Sequence, residues 1–312
     1  MEATTREKVS ALQTAIGRTI KGKEETIGLA IVALLAEGHL LIEDVPGVGK
    51  TTLGHALARS LDCTFHRIQF TSDLLPSDVL GVAIFNPRVN EFEFKHGPIF
   101  ANIVLADEIN RTTPKTQSAL LEAMNENQVT IENVTYPLPR PFMVLATQNP
   151  VEHHGTYPLP ESQLDRFLMR IEVGYPDMAA EREILLRFTN GNSSHKIEPV
   201  LTPEDVVSLQ QESRRITVAD PLVDYMLQLV NRTRNHPDIE LGISPRGSVA
   251  LFRAAQALAM VESRTFVLPD DIKRLAHPVF GHRMVIARSG ARSRADARTI
   301  LREILDQTPV PA

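Results

Sequence analysis

Hydrophobic positions at two spacings divide the first part of the chain into helices and strands. Apolar residues recur at helical spacing over 5–17 and again over 24–37, and both stretches are predicted to be helices. A short apolar run at 39–43 then enters a glycine-rich turn, and the residues after that turn, 51–61, again have the pattern of a helix. A strand, a glycine-rich turn and a helix in that order form the setting in which phosphate-binding loops occur.

Further apolar runs continue this alternation of strands and helices. The runs predicted to be strands are 64–70, 103–106, 142–147 and 168–173. Two stretches between them, 82–96 and 128–141, have the patterning of β-hairpins. Because strands that alternate with helices build a parallel sheet covered on both faces, the first part of the chain is predicted to be an α/β domain.

The pattern changes at about residue 177. The stretches that follow have helical spacing and include no convincing strand; they are 178–189, 203–213, 219–235, 245–262, 269–276 and 294–305. The small and polar residues at 189–194 are typical of a linker. We therefore predict two domains, an α/β core over 1–190 and a smaller helical domain over 191–312.

Composition adds little to this picture but excludes some classes of protein. The chain has 312 residues, of which 43% are hydrophobic and 23% charged, an ordinary globular balance. A net charge of -5 argues against general binding to nucleic acid or acidic membranes. The single cysteine, Cys63, rules out an internal disulfide. With neither a signal-peptide layout nor a membrane span in the sequence, we expect a cytoplasmic protein.

The glycine-rich turn at 44–51 carries the first candidate chemistry. Gly47 and Gly49 let the backbone turn tightly and direct its N–H groups at phosphate oxygens. Lys50 adds a positive charge for the β- and γ-phosphates, and the hydroxyl of Thr51 is a candidate ligand of Mg²⁺. The strict phosphate-loop pattern has glycine where this chain has Asp44, and glycine-rich turns also occur in loops that bind no nucleotide.

The strand predicted at 103–106 ends in two carboxylates. Asp107 stands where an aspartate would hold Mg²⁺, and Glu108 stands where a base would orient the attacking water. A strand that simply ends in polar residues is the alternative. Together with the loop at 44–51, the pair predicts hydrolysis of ATP.

Three more polar residues occupy places where an ATPase would need them. Asn149 follows an apolar strand and would lie beside the γ-phosphate, although Asn-Pro is also a turn former. Arg166 either forms a surface ion pair with Asp165 or, in a ring, reaches the nucleotide of the next subunit. Arg246 follows Ser-Pro at a helix start, where it is either exposed or directed at a nucleotide.

The order and spacing of these motifs resemble the AAA+ ATPases and, within them, the MoxR group, over nearly the whole chain. The closest local matches are 43–51, 107–111, 146–150, 159–167 and 244–246. The resemblance implies a P-loop parallel sheet with flanking helices and hairpin insertions, plus an all-α lid. It assigns Asn149 to sensor 1, Arg166 to the arginine finger and Arg246 to sensor 2. The implied nucleotide contacts are Ile20, Gly22, Pro46, Gly47, Val48, Gly49, Lys50, Thr51 and Thr52.

The same resemblance implies ATP and Mg²⁺ as cofactors, with Thr51 and Asp107 at the metal. It further implies a hexameric ring that remodels or activates protein clients, with a partner carrying a von Willebrand factor A domain. A chelatase-type motor subunit is the first alternative, and a nucleic-acid motor is the second. The second needs basic hairpins, whereas 128–141 offers only Arg140 against Glu132. A non-enzymatic ATP sensor is disfavoured by the complete set of catalytic residues.

Overall fold

The computed structural model describes residues 3–88, 90–149, 156–189, 197–287 and 296–311. Numbered in chain order, its strands are β1 (Leu40–Glu43), β2 (Phe65–Gln69), β3 (Gly81–Asn86), β4 (Glu91–His96), β5 (Ile103–Asp107), β6 (Gln128–Ile131), β7 (Val134–Pro137), β8 (Met143–Gln148), β9 (Met169–Ile171), β10 (Ile239–Leu241) and β11 (Val285–Ile286). Its helices are α1 (Ala3–Thr19), α2 (Glu24–Leu35), α3 (Lys50–Ser60), α4 (Pro76–Leu80), α5 (Pro114–Glu126), α6 (Glu161–Leu164), α7 (Met178–Thr189), α8 (Pro203–Ser213), α9 (Asp220–Arg234), α10 (Pro245–Val261), α11 (Pro269–Phe280) and α12 (Ala297–Gln307). The predicted α/β class is confirmed.

Five parallel strands form the main sheet, in the order β2-β5-β8-β1-β9. Because all five run the same way, their carboxyl ends meet at one edge of the sheet. At that edge Gln69 lies opposite Asp107, and Glu43 lies opposite Gln148. In open α/β sheets ligands bind beyond this edge, so the strand ends identify where a site can form.

Helices cover both faces of the sheet, as the continuous apolar strands require. Along β5, Ile103 and Leu105 face the larger core, whereas Val104 and Ala106 face the smaller one. The larger core contains the apolar faces of α1, α2 and α3, and the smaller one those of α4 and α5. The loop between β1 and α3 therefore lies at an edge that is held firmly from both sides.

The C-terminal helices pack on the α/β part through α2. Residues 26–35 of this helix are all buried, so it has no solvated face over those turns. The side chain of Gln210, on α8, donates a buried hydrogen bond of 2.8 Å to the carbonyl of Leu34, and Arg274, on α11, forms an ion pair with Glu25. The larger core thus runs without a break from the sheet into the helices that follow residue 200. The division at 190/191 stays a prediction, because residues 190–196, including most of the expected linker, lie outside the described part of the chain.

Two local features differ from the sequence-based expectation. Within the described residues after 197, a two-stranded sheet joins β10 and β11, where no strand was expected; strands of three and two residues are too short to show a periodicity. The expectation also assigned nothing to 114–126, where α5 lies, although Pro114 stands at the first helical position. No helix in the described stretches is long and apolar enough to cross a bilayer.

Candidate nucleotide-binding site

The loop between β1 and α3 has the backbone of a phosphate cradle. Gly47 and Gly49 have φ values of +86° and +97°, and no atom lies within 4 Å of where a Cβ would stand on either residue. Glycine is therefore needed there for backbone conformation and not for lack of room. Helix α3 begins at Lys50, and its first N–H groups have no intrahelical acceptor, so a phosphate can take that place.

Lys50 folds back over this loop. Its Nζ atom donates to the backbone carbonyl of Asp44 at 2.8 Å and to that of Val45 at 3.3 Å. Both acceptors are neutral carbonyls, so phosphate oxygens would be stronger partners for the ammonium group. Thr51 is half-buried in the next position, and Pro46 and Thr52 are exposed on either side.

Asp44 occupies the position at which the strict pattern has glycine, and the fold explains it. Its carboxylate is buried and accepts three backbone N–H groups: Val45 at 2.8 Å on Oδ1, and Val173 at 2.8 Å and Gly174 at 2.6 Å on Oδ2. Charge-assisted bonds of this kind are about twice as strong as neutral ones. The side chain thus ties the start of the loop to the residues that follow β9.

Asp107 is buried at the end of β5 and has two neighbours that the sequence did not indicate. The Thr147 hydroxyl, on β8, donates to its Oδ1 atom at 2.6 Å. Arg67, on β2, forms an ion pair with Oδ2, in which Nε lies at 3.1 Å. A carboxylate and a hydroxyl suit Mg²⁺, which is usually held by one or two protein oxygens together with substrate phosphates and water. Asp107 and Thr51 fit this role, and in the described stretches no cluster of three or more His, Cys, Asp or Glu side chains offers another metal site.

Glu108 has a left-handed backbone, with φ 58° and ψ 49°. A residue with a Cβ in this region costs about 1–3 kcal/mol, and such conformations cluster at functional sites. Its backbone N–H donates to the hydroxyl of Thr147 at 2.9 Å, and its Oε2 atom accepts from Gln69 at 2.8 Å and pairs with Arg111 at 3.2 Å. Two neighbouring strands therefore hold both carboxylates in defined positions.

The remaining predicted residues fall into two groups. Asn149 is buried directly after β8, the strand that lies between β5 and β1, and so belongs to the same edge as Asp107. Arg166 lies in the half-buried turn between α6 and β9, and Arg246 is exposed in the first turn of α10. Within the described residues the Nε atom of Arg166 has no hydrogen-bond partner, and no hydrogen bond joins either arginine to the loop or to Asp107. Pro150, at the end of the Asn149 motif, lies outside the described part.

The turn between α1 and α2 lies against the segment that Asp44 holds. Ile20 packs on the larger core, and Gly22 has φ +66°, with Asp177 only 3.5 Å from where its Cβ would stand. Lys23 donates to the carbonyl of Tyr175 at 2.7 Å. Gly22 and Lys23 are thereby joined, through residues 174–177, to the start of the phosphate loop.

Sequence reasoning missed Arg67, Gln69 and Thr147, which hold the two carboxylates. The signal available was the alternation on β2, where Arg67 and Gln69 lie on the same face of a strand. Their role depends on β2 being the neighbour of β5, and strand order is not visible in a single sequence.

Comparison with known proteins agrees with this geometry. Residues 39–169 match the model of the ATPase family associated with various cellular activities (AAA), and residues 231–304 match that of the AAA lid domain. An uncharacterized protein of Bacillus subtilis, YeaC, is 51% identical over 95% of this chain and 92% of its own length. The chaperone MoxR1 of Mycobacterium tuberculosis is 40% identical over 97% of this chain and 83% of its own.

A solved structure extends the agreement to the whole fold. The crystal structure of a candidate ATPase from Cytophaga hutchinsonii superposes with a TM-score of 0.92 at 40% identity, covering 99% of this chain and 96% of that one. The glycine-rich loop, the carboxylate pair at the end of β5 and the lid helices occur here in the order of that class. Fold, site and relatives together establish that the chain belongs to the MoxR family of AAA+ ATPases.

Proposed function

We propose that this protein hydrolyses ATP as a ring and uses the energy to remodel or activate protein clients. The observation that carries the proposal is the edge shared by β5, β8 and β1. There the carboxylates of Asp107 and Glu108 stand two strands away from the loop that ends in Lys50. Positioning and charge stabilisation supply most of the catalysis in phosphoryl transfer, and the groups at this edge suit both roles.

Each residue has a distinct part in that chemistry. The loop amides and Lys50 would bind the phosphates, and Thr51 and Asp107 would hold Mg²⁺, whose charge offsets that of the phosphates. Glu108 would accept the proton of the attacking water, with Asn149 orienting that water. Since Oε2 of Glu108 is held by Gln69 and Arg111, this carboxylate must be released before it can act as a base.

Substitution of Glu108 tests the hydrolysis. The change Glu108→Gln keeps the shape of the side chain but cannot accept a proton, so we expect ATP binding to persist and kcat to fall about a hundredfold or more. Glu122→Gln, on the exposed face of α5, is the matched control and leaves kcat unchanged. Full turnover by Glu108→Gln would remove this carboxylate from the role of base.

The ring is proposed from Arg166, whose Nε atom is buried without a hydrogen-bond partner among the described residues. An arginine whose Nε atom lacks such a partner in its own subunit suits an arginine finger, which contacts the nucleotide of the next subunit in a hexamer. Activity per subunit should then rise with protein concentration until rings form. Turnover that stays flat from nanomolar to micromolar protein, with no oligomer in light scattering, would refute this assembly.

The hairpins favour a protein client. On the β3–β4 hairpin, Phe85 and Phe92 are exposed with ring centroids 5.4 Å apart, and Glu91 and Glu93 lie on the opposite face. Exposed aromatic side chains are typical of protein contacts, whereas acidic ones repel phosphates. The hairpin surface therefore argues against a nucleic-acid motor. The relatives that match most of the chain do not favour a chelatase subunit.

Clients can be captured on a ring that binds ATP without hydrolysing it. We expect Glu108→Gln with ATP to retain client proteins, including one with a von Willebrand factor A domain, that Lys50→Ala does not retain. Identical proteins bound to both variants would contradict ATP-dependent client binding. Salt-sensitive binding of DNA or RNA near 0.15 M salt would favour the nucleic-acid alternative.

A further inference from the structure

The carboxylate of Asp165 joins two parts of the chain that are distant in sequence. Its Oδ1 atom accepts from Nε of Arg283 at 2.8 Å, and its Oδ2 atom accepts from the hydroxyl of Ser244 at 2.9 Å. Asp165 directly precedes Arg166, whereas Ser244 and Arg283 belong to the helical region after residue 197. The surface pair between Asp165 and Arg166 that the sequence allowed is thus replaced by contacts with that region.

Arg283 holds the turn that contains Arg166. Its side chain is almost completely buried, and it donates to backbone carbonyls of the turn: Asp165 at 3.3 Å, Phe167 at 2.5 Å and Leu168 at 3.0 Å. A buried guanidinium is stable only when it is paired and hydrogen-bonded, so this network has to form as a unit. The turn therefore cannot shift without the segment that carries Arg283.

Ser244 extends the network to the helix of Arg246. It is the N-cap of α10: its Oγ atom accepts the N–H of Gly247 at 3.2 Å while its proton is donated to Asp165. A Cβ on Gly247 would lie 2.5 Å from the Ile243 side chain and 3.1 Å from Cδ of Arg283, so glycine is what allows this close approach. One hydroxyl thus connects the first turn of α10 to the residue before Arg166.

We propose that Asp165 and Ser244 are positioning residues that make Arg166 follow the first turn of α10. This inference rests on the proposed function, in which Arg166 serves the nucleotide of the neighbouring subunit. A shift of α10 then moves Arg166 through the hydrogen bond between Ser244 and Asp165. The position of the helical region is thereby communicated to hydrolysis at the neighbour's site, through the contacts of Ser244 and Arg283 with the α6–β9 turn.

The test uses Ser244, because loss of Asp165 would leave Arg283 as an uncompensated buried charge. Ser244→Gly removes the donor to Asp165 but keeps an acceptable N-cap, and Ser244→Thr restores the hydroxyl. Thr202→Gly is the matched control, since Thr202 is the N-cap of α8 and, among the described residues, its hydroxyl bonds only with Asp205. We expect kcat to fall between about tenfold and a hundredfold in Ser244→Gly alone, with KM little changed and activity recovered in Ser244→Thr.

Mixed rings separate communication from local damage. Subunits with both Glu108→Gln and Ser244→Gly, diluted into wild-type rings, should slow their wild-type neighbours more than subunits with Glu108→Gln alone. Equal slowing, or wild-type kcat in Ser244→Gly while Arg166→Ala is inactive, overturns the coupling and leaves the finger in place. Full activity of Arg166→Ala would overturn the finger and the coupling together.

Discussion

Restoring the glycine that the strict phosphate-loop pattern prescribes should damage this protein. In Asp44→Gly the carboxylate is lost, and the N–H groups of Val173 and Gly174 lose their acceptor. The amide of Val173 is buried in this contact, so water cannot easily replace the oxygen. A match to the general pattern would thus be gained at the cost of the contact that holds the loop to the end of β9.

The expected loss of stability follows from the two hydrogen bonds between Asp44 and the residues after β9. A hydrogen bond to a charged group contributes roughly 1.5–3 kcal/mol, so we expect the loss of two in Asp44→Gly to lower the free energy of unfolding by about 3–6 kcal/mol. The free energy of unfolding of Asp44→Asn should lie between those of Asp44→Gly and wild type, because the amide side chain has one oxygen for three N–H donors. Asp296→Asn is the matched control: Asp296 accepts one exposed backbone N–H as the N-cap of α12, and asparagine caps a helix equally well.

Urea unfolding measures the stability, and titration with a fluorescent ATP analogue measures nucleotide affinity. The expected order of stability is wild type and Asp296→Asn together, then Asp44→Asn, then Asp44→Gly, with a similar urea dependence in all four. Affinity for ATP should fall in the same order, because a loop without its anchor is less preorganised. Wild-type stability and affinity in Asp44→Gly would show that the carboxylate does not hold the loop.

Three further predictions concern single side chains. Since Arg67 competes for the carboxylate of Asp107, Arg67→Ala should lower the Mg²⁺ concentration for half-maximal turnover, and an unchanged Mg²⁺ titration would exclude this competition. Burial lowers the pKa of His39 from 6.5 to about 4, so its contribution to stability is complete above pH 6.5 and is lost as the pH falls towards 4. This loss amounts to about 3 kcal/mol, and unfolding curves at pH 7.5 and 4.5 should converge in His39→Gln. Burial raises the pKa of Cys63 to about 12, so thiol reagents at pH 8 should label this residue only after unfolding.

The ends of the strands were predictable from the sequence because buried strand positions are apolar whereas candidate site residues are charged or polar. Strand β5 is buried at every position and is followed at once by Glu108, so a change from apolar to acidic marks both the end of the strand and the site. The helix start at Ser244 was equally visible, since serine before proline is a local capping signal. Both features depend on neighbours in sequence, which a single chain displays.

The contacts that position the site depend on neighbours in space. Asp165 and Arg283 are 118 positions apart, and neither has a local pattern that identifies its partner. Asp44 appeared as a departure from a pattern because its donors, the backbone N–H groups of 173 and 174, follow a strand whose place beside β1 is set by sheet order. Sequence therefore indicated the candidate catalytic groups, and the structure was needed to identify the residues that hold them.

The charged groups of the candidate site share one physical feature. Asp107 and Glu108 are both kept in contact with partners from β2, and Lys50 is kept on carbonyls of its own loop, so each charged group already has a protein partner. Binding of ATP must exchange these contacts for contacts with phosphate and metal, and only the difference between the two sets is available as binding energy. Because Arg67 and Gln69 lie on β2, that exchange would also remove two side-chain contacts between β2 and the end of β5.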